Sequence, residues 1–239
     1  MAKEEPNNPL ALTSVGTKIL IAVTGAALIL FVIAHMMGNL QIFLGRDSLN
    51  DYAAKLKSLG PLLWVARIGL LCVFVLHVVF TIKLSRANYR ARGPTVSDSP
   101  IGGLLGERYS HQYRYKAATV SSRFMILSGL LILLFIVYHL AHFTFHKIGD
   151  KPIAIGEDDI DVYEMVILGF RNTWISVSYI FFQIVLGLHV YHGASSALQT
   201  LGLRMESSKK PVSFLGITLA VLIACGNISI PLAVWAGLI

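Results

Sequence analysis

Five long stretches of this chain carry no Asp, Glu, Lys or Arg: residues 19–45, 68–82, 124–145, 172–203 and 211–239. A membrane-spanning helix needs about 20 mainly apolar residues, so four of them qualify outright. The second reaches that length only if it starts near Pro61 and takes in Arg67, which must then snorkel to the interface or face the protein interior. Only helices and closed barrels satisfy their backbone groups inside a bilayer. The expectation is therefore an all-α membrane protein, one transmembrane domain over residues 1–239, with helices at 16–38, 61–86, 121–146, 174–202 and 211–237. Composition agrees, because 14% charged residues and a mean hydropathy of +0.66 fall far from the roughly 25% charged of a soluble domain. Little polar sequence remains for an aqueous catalytic domain. The polar start 1–9 has no basic segment or cleavage pattern and reads as a cytoplasmic tail.

Charge sets the expected orientation. With five spans the N-terminus, the loop 87–120 and the loop between the last two helices share a side. That side holds thirteen of the 20 cations against five acids, a net +8, while the other holds seven against eight, a net −1. Lys and Arg mark the cytoplasmic side. The N-terminus is thus expected inside and the C-terminus outside, with an external acidic loop at 147–173 that contains Glu157, Asp158, Asp159 and Asp161. The basic loop, with Tyr89, Tyr109, Tyr113 and Tyr115 among its arginines, suits anionic lipid headgroups and a cytoplasmic partner protein. Nucleic acid is not needed to explain the charge. Cys72 and Cys225 are too few for an iron–sulfur cluster and read as small buried residues.

The informative side chains are histidines. Of eight, six lie in the charge-free stretches: His35, His77, His139, His142, His189 and His192. An ionisable group inside a span is costly unless it is partnered, so each is a candidate for function. A single one would read as an imidazole bonded to a neighbouring helix, but here four helices carry at least one. Helix direction alternates, which puts His35 with His139 or His142 near the external ends and His77 with His189 or His192 nearer the cytoplasmic ends. At 1.5 Å per residue the two layers stand roughly 10 to 15 Å apart.

Two imidazoles from different helices at one depth suit the two axial positions of a haem iron, and two layers suit two stacked haems. Zinc or non-haem iron usually takes three or four ligands, often with Cys or a carboxylate. No Asp or Glu falls in any expected span, which also argues against a transporter driven through intramembrane carboxylates. Spacing alone does not choose within the pairs His139/His142 and His189/His192, since each is i, i+3. Gly25, Gly38, Gly69, Gly129, Gly187 and Gly193 are positions where a porphyrin, or simply another helix, could approach closely.

Several segments together carry a resemblance: Ser14-Val15-Gly16-Thr17-Lys18, Thr24-Gly25, His35-Met36-Met37-Gly38-Asn39-Leu40-Gln41, Asn50-Asp51-Tyr52-Ala53, Trp64-Val65-Ala66-Arg67, His189-Val190-Tyr191-His192-Gly193 and Gln199-Thr200-Leu201-Gly202. Nearly the whole chain resembles the cytochrome b membrane anchors of succinate dehydrogenases and fumarate reductases, of the single-anchor, five-helix, two-haem kind. The resemblance implies His35, His77, His139 and His189 as axial ligands of two b haems, His35 with His139 at the distal one and His77 with His189 at the proximal one. His142 and His192 then sit beside the haems. Arg123 is the implied propionate partner, with Lys18 and Lys83 as further ones.

The resemblance further implies a bacterial cytoplasmic membrane and a complex, itself open to higher oligomers, whose catalytic work is shared. A flavoprotein subunit with FAD binds the dicarboxylate, an iron–sulfur subunit relays electrons, and the anchor exchanges them with menaquinone in the membrane. Asn39, Gln41, Arg46, Asp47 and Asp51 are the outer-side candidates for binding the quinone, though each taken alone reads first as a solvated loop residue. Two other expectations compete. One is the cytochrome b subunit of a hydrogenase or formate dehydrogenase; the other is a structural tether without haem.

Overall fold

The computed structural model describes residues 13–91, 124–155, 160–203 and 209–239. Among them the only non-helical pairing is an isolated antiparallel bridge between Ala154 and Ile160. Among the described residues seven α-helices follow in order: α1 (Ser14–Asn39), α2 (Arg46–Ser58), α3 (Pro61–Ala91), α4 (Met125–His139), α5 (Val162–Arg171), α6 (Thr173–Thr200) and α7 (Lys209–Trp235). Five segments are long and apolar enough to cross a membrane: Ser14–Leu44, Pro61–Asn88, Met125–Thr144, Thr173–Thr200 and Ser213–Trp235. The protein is an all-α, multi-pass membrane protein of five candidate spans, as its charge-free stretches require.

Local chemistry sets the helix starts. The Thr13 hydroxyl accepts from the Gly16 amide at 3.1 Å to open α1, and the Asn172 side chain accepts from the amides of Trp174 and Ile175 to open α6. Each satisfies donors that a helix start leaves without partners. The third span departs from the expected continuous helix. Its α-helix ends at His139, and Leu140–Thr144 widens into a π turn in which the Phe145 amide donates to the Leu140 carbonyl at 2.8 Å.

Two short helices lie where sequence reading expects loops. Helix α2 follows the first span, and α5 occupies the end of the expected loop 147–173. Both are amphipathic: α2 buries Leu49, and α5 buries Ile167, Gly169 and Phe170. Together with Ile42, Phe135, Ile175, Tyr179, Ile230 and Val234 they close a single apolar cluster at the face opposite the start of α1.

The spans form an open arc. Helix α3 packs on α1, α1 on α6, and α6 on α4, while α7 lies along α6. Helices α3 and α4, at the two ends of the arc, share no sustained packing, and neither do the diagonal pairs α1/α4 and α3/α6. The outer surface is apolar, with Leu30, Val65 and Leu134 each about three-fifths exposed or more, as a lipid-facing surface is. All three tryptophans, Trp64, Trp174 and Trp235, are exposed at span ends on the face opposite the start of α1, forming an interfacial aromatic belt. Arg67 answers its sequence alternatives by stacking on this belt, its guanidinium carbon 5.1 Å from the Trp64 ring. Cys72 and Cys225, expected to be buried, are both exposed. They sit on the apolar surface, where a small soft side chain costs nothing against lipid.

Candidate functional site

The concave side of the arc collects the histidines. His35 of α1 and His139 of α4 come together with ring centroids 5.7 Å apart and planes at 89°. They do so although their helices do not pack on each other, so the rings bridge an interhelical space. Phe31 stacks on His35 at 5.5 Å and Phe135 lies 5.7 Å from His139, one turn back in each helix.

A second pair lies deeper toward the start of α1. His77 of α3 and His189 of α6, also on diagonal helices, are within electrostatic range of each other. Each is held by the partner helix of its own hairpin. The His77 Nδ1 lies 3.1 Å from the Thr24 hydroxyl on α1, and the His189 Nδ1 lies 2.9 Å from the Ser128 hydroxyl on α4. Glycine follows both hydroxyls. A Cβ at Gly25 would stand 3.1 Å from the His77 Cε1, and one at Gly129 would stand 3.6 Å from the His189 Cε1. The two pairs therefore occupy two layers. Thr24 and His35 are eleven residues apart, as are Ser128 and His139, which at 1.5 Å per residue separates the layers by roughly 16 Å.

The remaining intramembrane histidines behave differently. His142 falls in the π turn, which swings it off the face of His139 and leaves it only 5% exposed. Its Nδ1 bonds the Tyr179 hydroxyl at 2.9 Å, while a Cβ at Gly169 would stand 2.9 Å from its Nε2. Both ring edges are thus enclosed. The Tyr179 hydroxyl also reaches the His139 Nδ1, at 3.4 Å. His192 follows His189 by one turn and is half-buried.

Lys18 and Lys83 are exposed, each six residues from the inner layer, Lys18 ahead of Thr24 and Lys83 beyond His77. One turn beyond His77, the buried Thr81 hydroxyl has no hydrogen-bond partner among the described residues. Arg123, and with it most of the basic loop 87–120, lies outside the described residues.

The outer-side polar candidates separate. Arg46 pairs with Asp161, and the Gln41 carbonyl oxygen accepts from the Ser48 hydroxyl at 2.9 Å. Asp47 and Asp51 are exposed on α2, and Asn39 is half-buried at the end of α1. Asp161 itself is fully buried. Its carboxylate accepts from the Glu164 amide at 3.0 Å, from the Asn50 side chain at 3.0 Å and from Arg46. Burial alone would raise its pKa, but these donors and the guanidinium charge outweigh it and hold the carboxyl below its ordinary value. Arg46, expected near a quinone, here fastens α2 to α5.

Among the described residues no group of three or more metal-ligating side chains occurs; the histidines gather in pairs. Comparison with family models, with curated proteins and with solved structures finds no match.

Sequence reading misses Thr24, Ser128 and Tyr179 as partners of histidines, and Asp161 as a structural hub. A signal for the first two is present. Residues 24–35, TGAALILFVIAH, align without a gap on 128–139, SGLLILLFIVYH, with Gly, Leu, Phe and His recurring in register and Thr answered by Ser. Two hairpins built on one pattern form the arc.

Proposed function

We propose that this chain is the membrane anchor and electron-transfer subunit of a succinate:menaquinone oxidoreductase or quinol:fumarate reductase, and that it holds two b haems in the concave side of its helical arc. The observation that carries the reading is the pairing of imidazoles across diagonal helices at two depths, on helices that stand too far apart to pack. The donor set fits the group. Metal–nitrogen bonds of about 2 Å on either side of one ion put two imidazole centroids roughly 6 Å apart, and His35 and His139 stand at 5.7 Å. The glycines beside His77 and His189 let each ring lie against the neighbouring helix, and the buried Thr81 hydroxyl, which has no partner among the described residues, is a polar group that a cofactor's edge would satisfy. The full enclosure of His142 supports His139 as the ligand, and the hydroxyl bond to His189 supports it over His192.

In this reading His35 and His139 hold the distal haem and His77 and His189 the proximal one, with Lys18, Lys83 and Arg123 beside the propionates. Haem supplies one-electron chemistry within the bilayer. The chain's own work is to fix four imidazoles at two depths, keep water out with an apolar wall, and bind the complex to the membrane. The +8 side faces the cytoplasm of a bacterium and docks an FAD-bearing flavoprotein through an iron–sulfur subunit, so the N-terminus is inside and the C-terminus outside. Quinone exchanges electrons near the distal pair, with Asn39, Asp47 and Asp51 as the candidates not already engaged by another side chain.

The test is a reduced-minus-oxidised spectrum of the purified chain with a haem-to-protein ratio. Two low-spin b haems per chain are expected, and His35→Ala, His77→Ala, His139→Ala and His189→Ala should each remove one. A chain that binds no haem would be a tether, and the proposal would fall. If His142→Ala removed a haem that His139→Ala left in place, the ligand assignment would be wrong.

A further inference from the structure

We propose that Thr24 and Ser128 are positioning residues that fix His77 and His189 as Nδ1–H tautomers, so that each Nε2 lone pair is free for the iron of the proximal haem. This rests on the haem reading above and adds a role for two hydroxyls. A hydroxyl has one hydrogen. The Thr24 hydroxyl donates it to the Leu20 carbonyl at 2.6 Å, with the Ile21 carbonyl also near at 3.2 Å. A carbonyl cannot donate, so these contacts consume the hydrogen, and toward His77 the Thr24 oxygen can only accept. His77 must therefore carry its proton on Nδ1.

The second hairpin repeats the device. The Ser128 hydroxyl donates to the Met125 carbonyl at 3.0 Å, which leaves it an acceptor for the His189 Nδ1 at 2.9 Å. In both cases the helix spends the hydroxyl hydrogen on its own backbone, one turn back, and thereby turns the oxygen into a selector of imidazole tautomer. The glycine that follows makes room for the ring to lie against the helix. Among the described residues the outer pair lacks this arrangement: His35 stacks on Phe31, and the hydrogen-bonding contact of His139 is the 3.4 Å one with a tyrosine that His142 also engages.

An acceptor on the far nitrogen of a ligating imidazole fixes its orientation and raises its basicity, which favours the ferric state. Removing it should raise the potential of the proximal haem and leave the distal one as an internal control. The experiment is a redox titration, with low-temperature electron paramagnetic resonance of the ferric haems, of the haem-loaded chain and of Thr24→Val, Ser128→Ala, Thr24→Ser and Ser128→Thr. Thr24→Val or Ser128→Ala should raise the ferrous-to-ferric ratio of one haem about three- to tenfold at fixed ambient potential and alter its resonance, whereas the hydroxyl-keeping variants stay like wild type. If Thr24→Val and Ser128→Ala lose that haem while Thr24→Ser and Ser128→Thr retain it, the hydroxyls are still what holds the ligands. Unchanged potentials in a chain that binds two haems would overturn this role and leave the haem reading intact. Equal loss in hydroxyl-keeping and hydroxyl-lacking variants would reduce the role to packing and overturn it too. A wild-type chain without haem would instead sink the reading beneath it.

Discussion

Replacing Asp161 should open the polar cap over the face opposite the start of α1, in two separable steps. The carboxylate does two jobs. It caps α5 through the Glu164 amide, and it accepts from Asn50 and Arg46 of α2. A lost N-cap costs about 1 kcal/mol. Hydrogen bonds to a charged group contribute about 1.5–3 kcal/mol, and the lower end applies because the Arg46 side chain is 53% exposed and screened by water. Asp161→Ala loses both and should cost roughly 2.5 kcal/mol, a factor approaching 10² in local opening. Asp161→Asn keeps a capping oxygen but not the charge and should cost roughly 1.5 kcal/mol, about tenfold.

Amide hydrogen exchange in detergent reads this directly. Protection in α5 and in the α2 residues around Asn50 should fall by those factors, while the mid-membrane amides of α6 stay protected. Acid provides the second reading. Because the folded pKa is held below the ordinary 3.8, the stabilisation is fully present above that value and is lost as pH falls through the lower folded one. Wild-type protection should therefore decline in acid toward that of Asp161→Asn, whose own protection shows no such step. Equal exchange in wild type and Asp161→Ala at neutral pH would refute the reasoning.

Two further perturbations discriminate within the histidine layers. Gly25→Ala puts a methyl 3.1 Å from the His77 ring and should displace it, shifting the spectrum of the proposed proximal haem, whereas Gly129→Ala, at 3.6 Å from His189, makes an ordinary contact and should be spectrally silent. Tyr179→Phe leaves the buried His142 Nδ1 unpaired and should cost about 1–3 kcal/mol, seen as a lower melting temperature in detergent with both proposed haems retained.

The spans were legible because a bilayer leaves one solution for a long uncharged stretch, and the boundaries of α3, α6 and α7 fall within a few residues of those expected, α3 running five residues further. The short helices were not. In α2 only Leu49 is buried, so the apolar stripe that announces an amphipathic helix is one residue wide and becomes visible only against α5. The π turn was hidden for another reason. Nothing in Leu140–Thr144 breaks an α-helix locally, and the wide turn is seen only with His142 between Gly149, Gly169 and Tyr179. The equal spacing of His139 and His142 from one helical face, which left them undistinguished in sequence, fails because the face itself turns.

The repeat explains why the histidines come in two layers at all. Each hairpin supplies one imidazole to each depth, from α1 and α3 in one half and from α4 and α6 in the other. Within a hairpin the hydroxyl–glycine step sits eleven residues from the histidine of the same helix. That step also seats the histidine of the returning helix, so a single spacing sets the distance between layers in both halves, roughly 16 Å by helical rise. A hydrocarbon core is about 30 Å thick, so an electron passing between the layers crosses about half of it. At about 2.3 kcal/mol per charge per 100 mV, a potential negative on the cytoplasmic side then favours transfer toward the distal pair by roughly 1 kcal/mol per 100 mV. A helix pattern of twelve residues, used twice, thus sets the spacing of the histidine layers and couples the proposed electron path to the membrane potential.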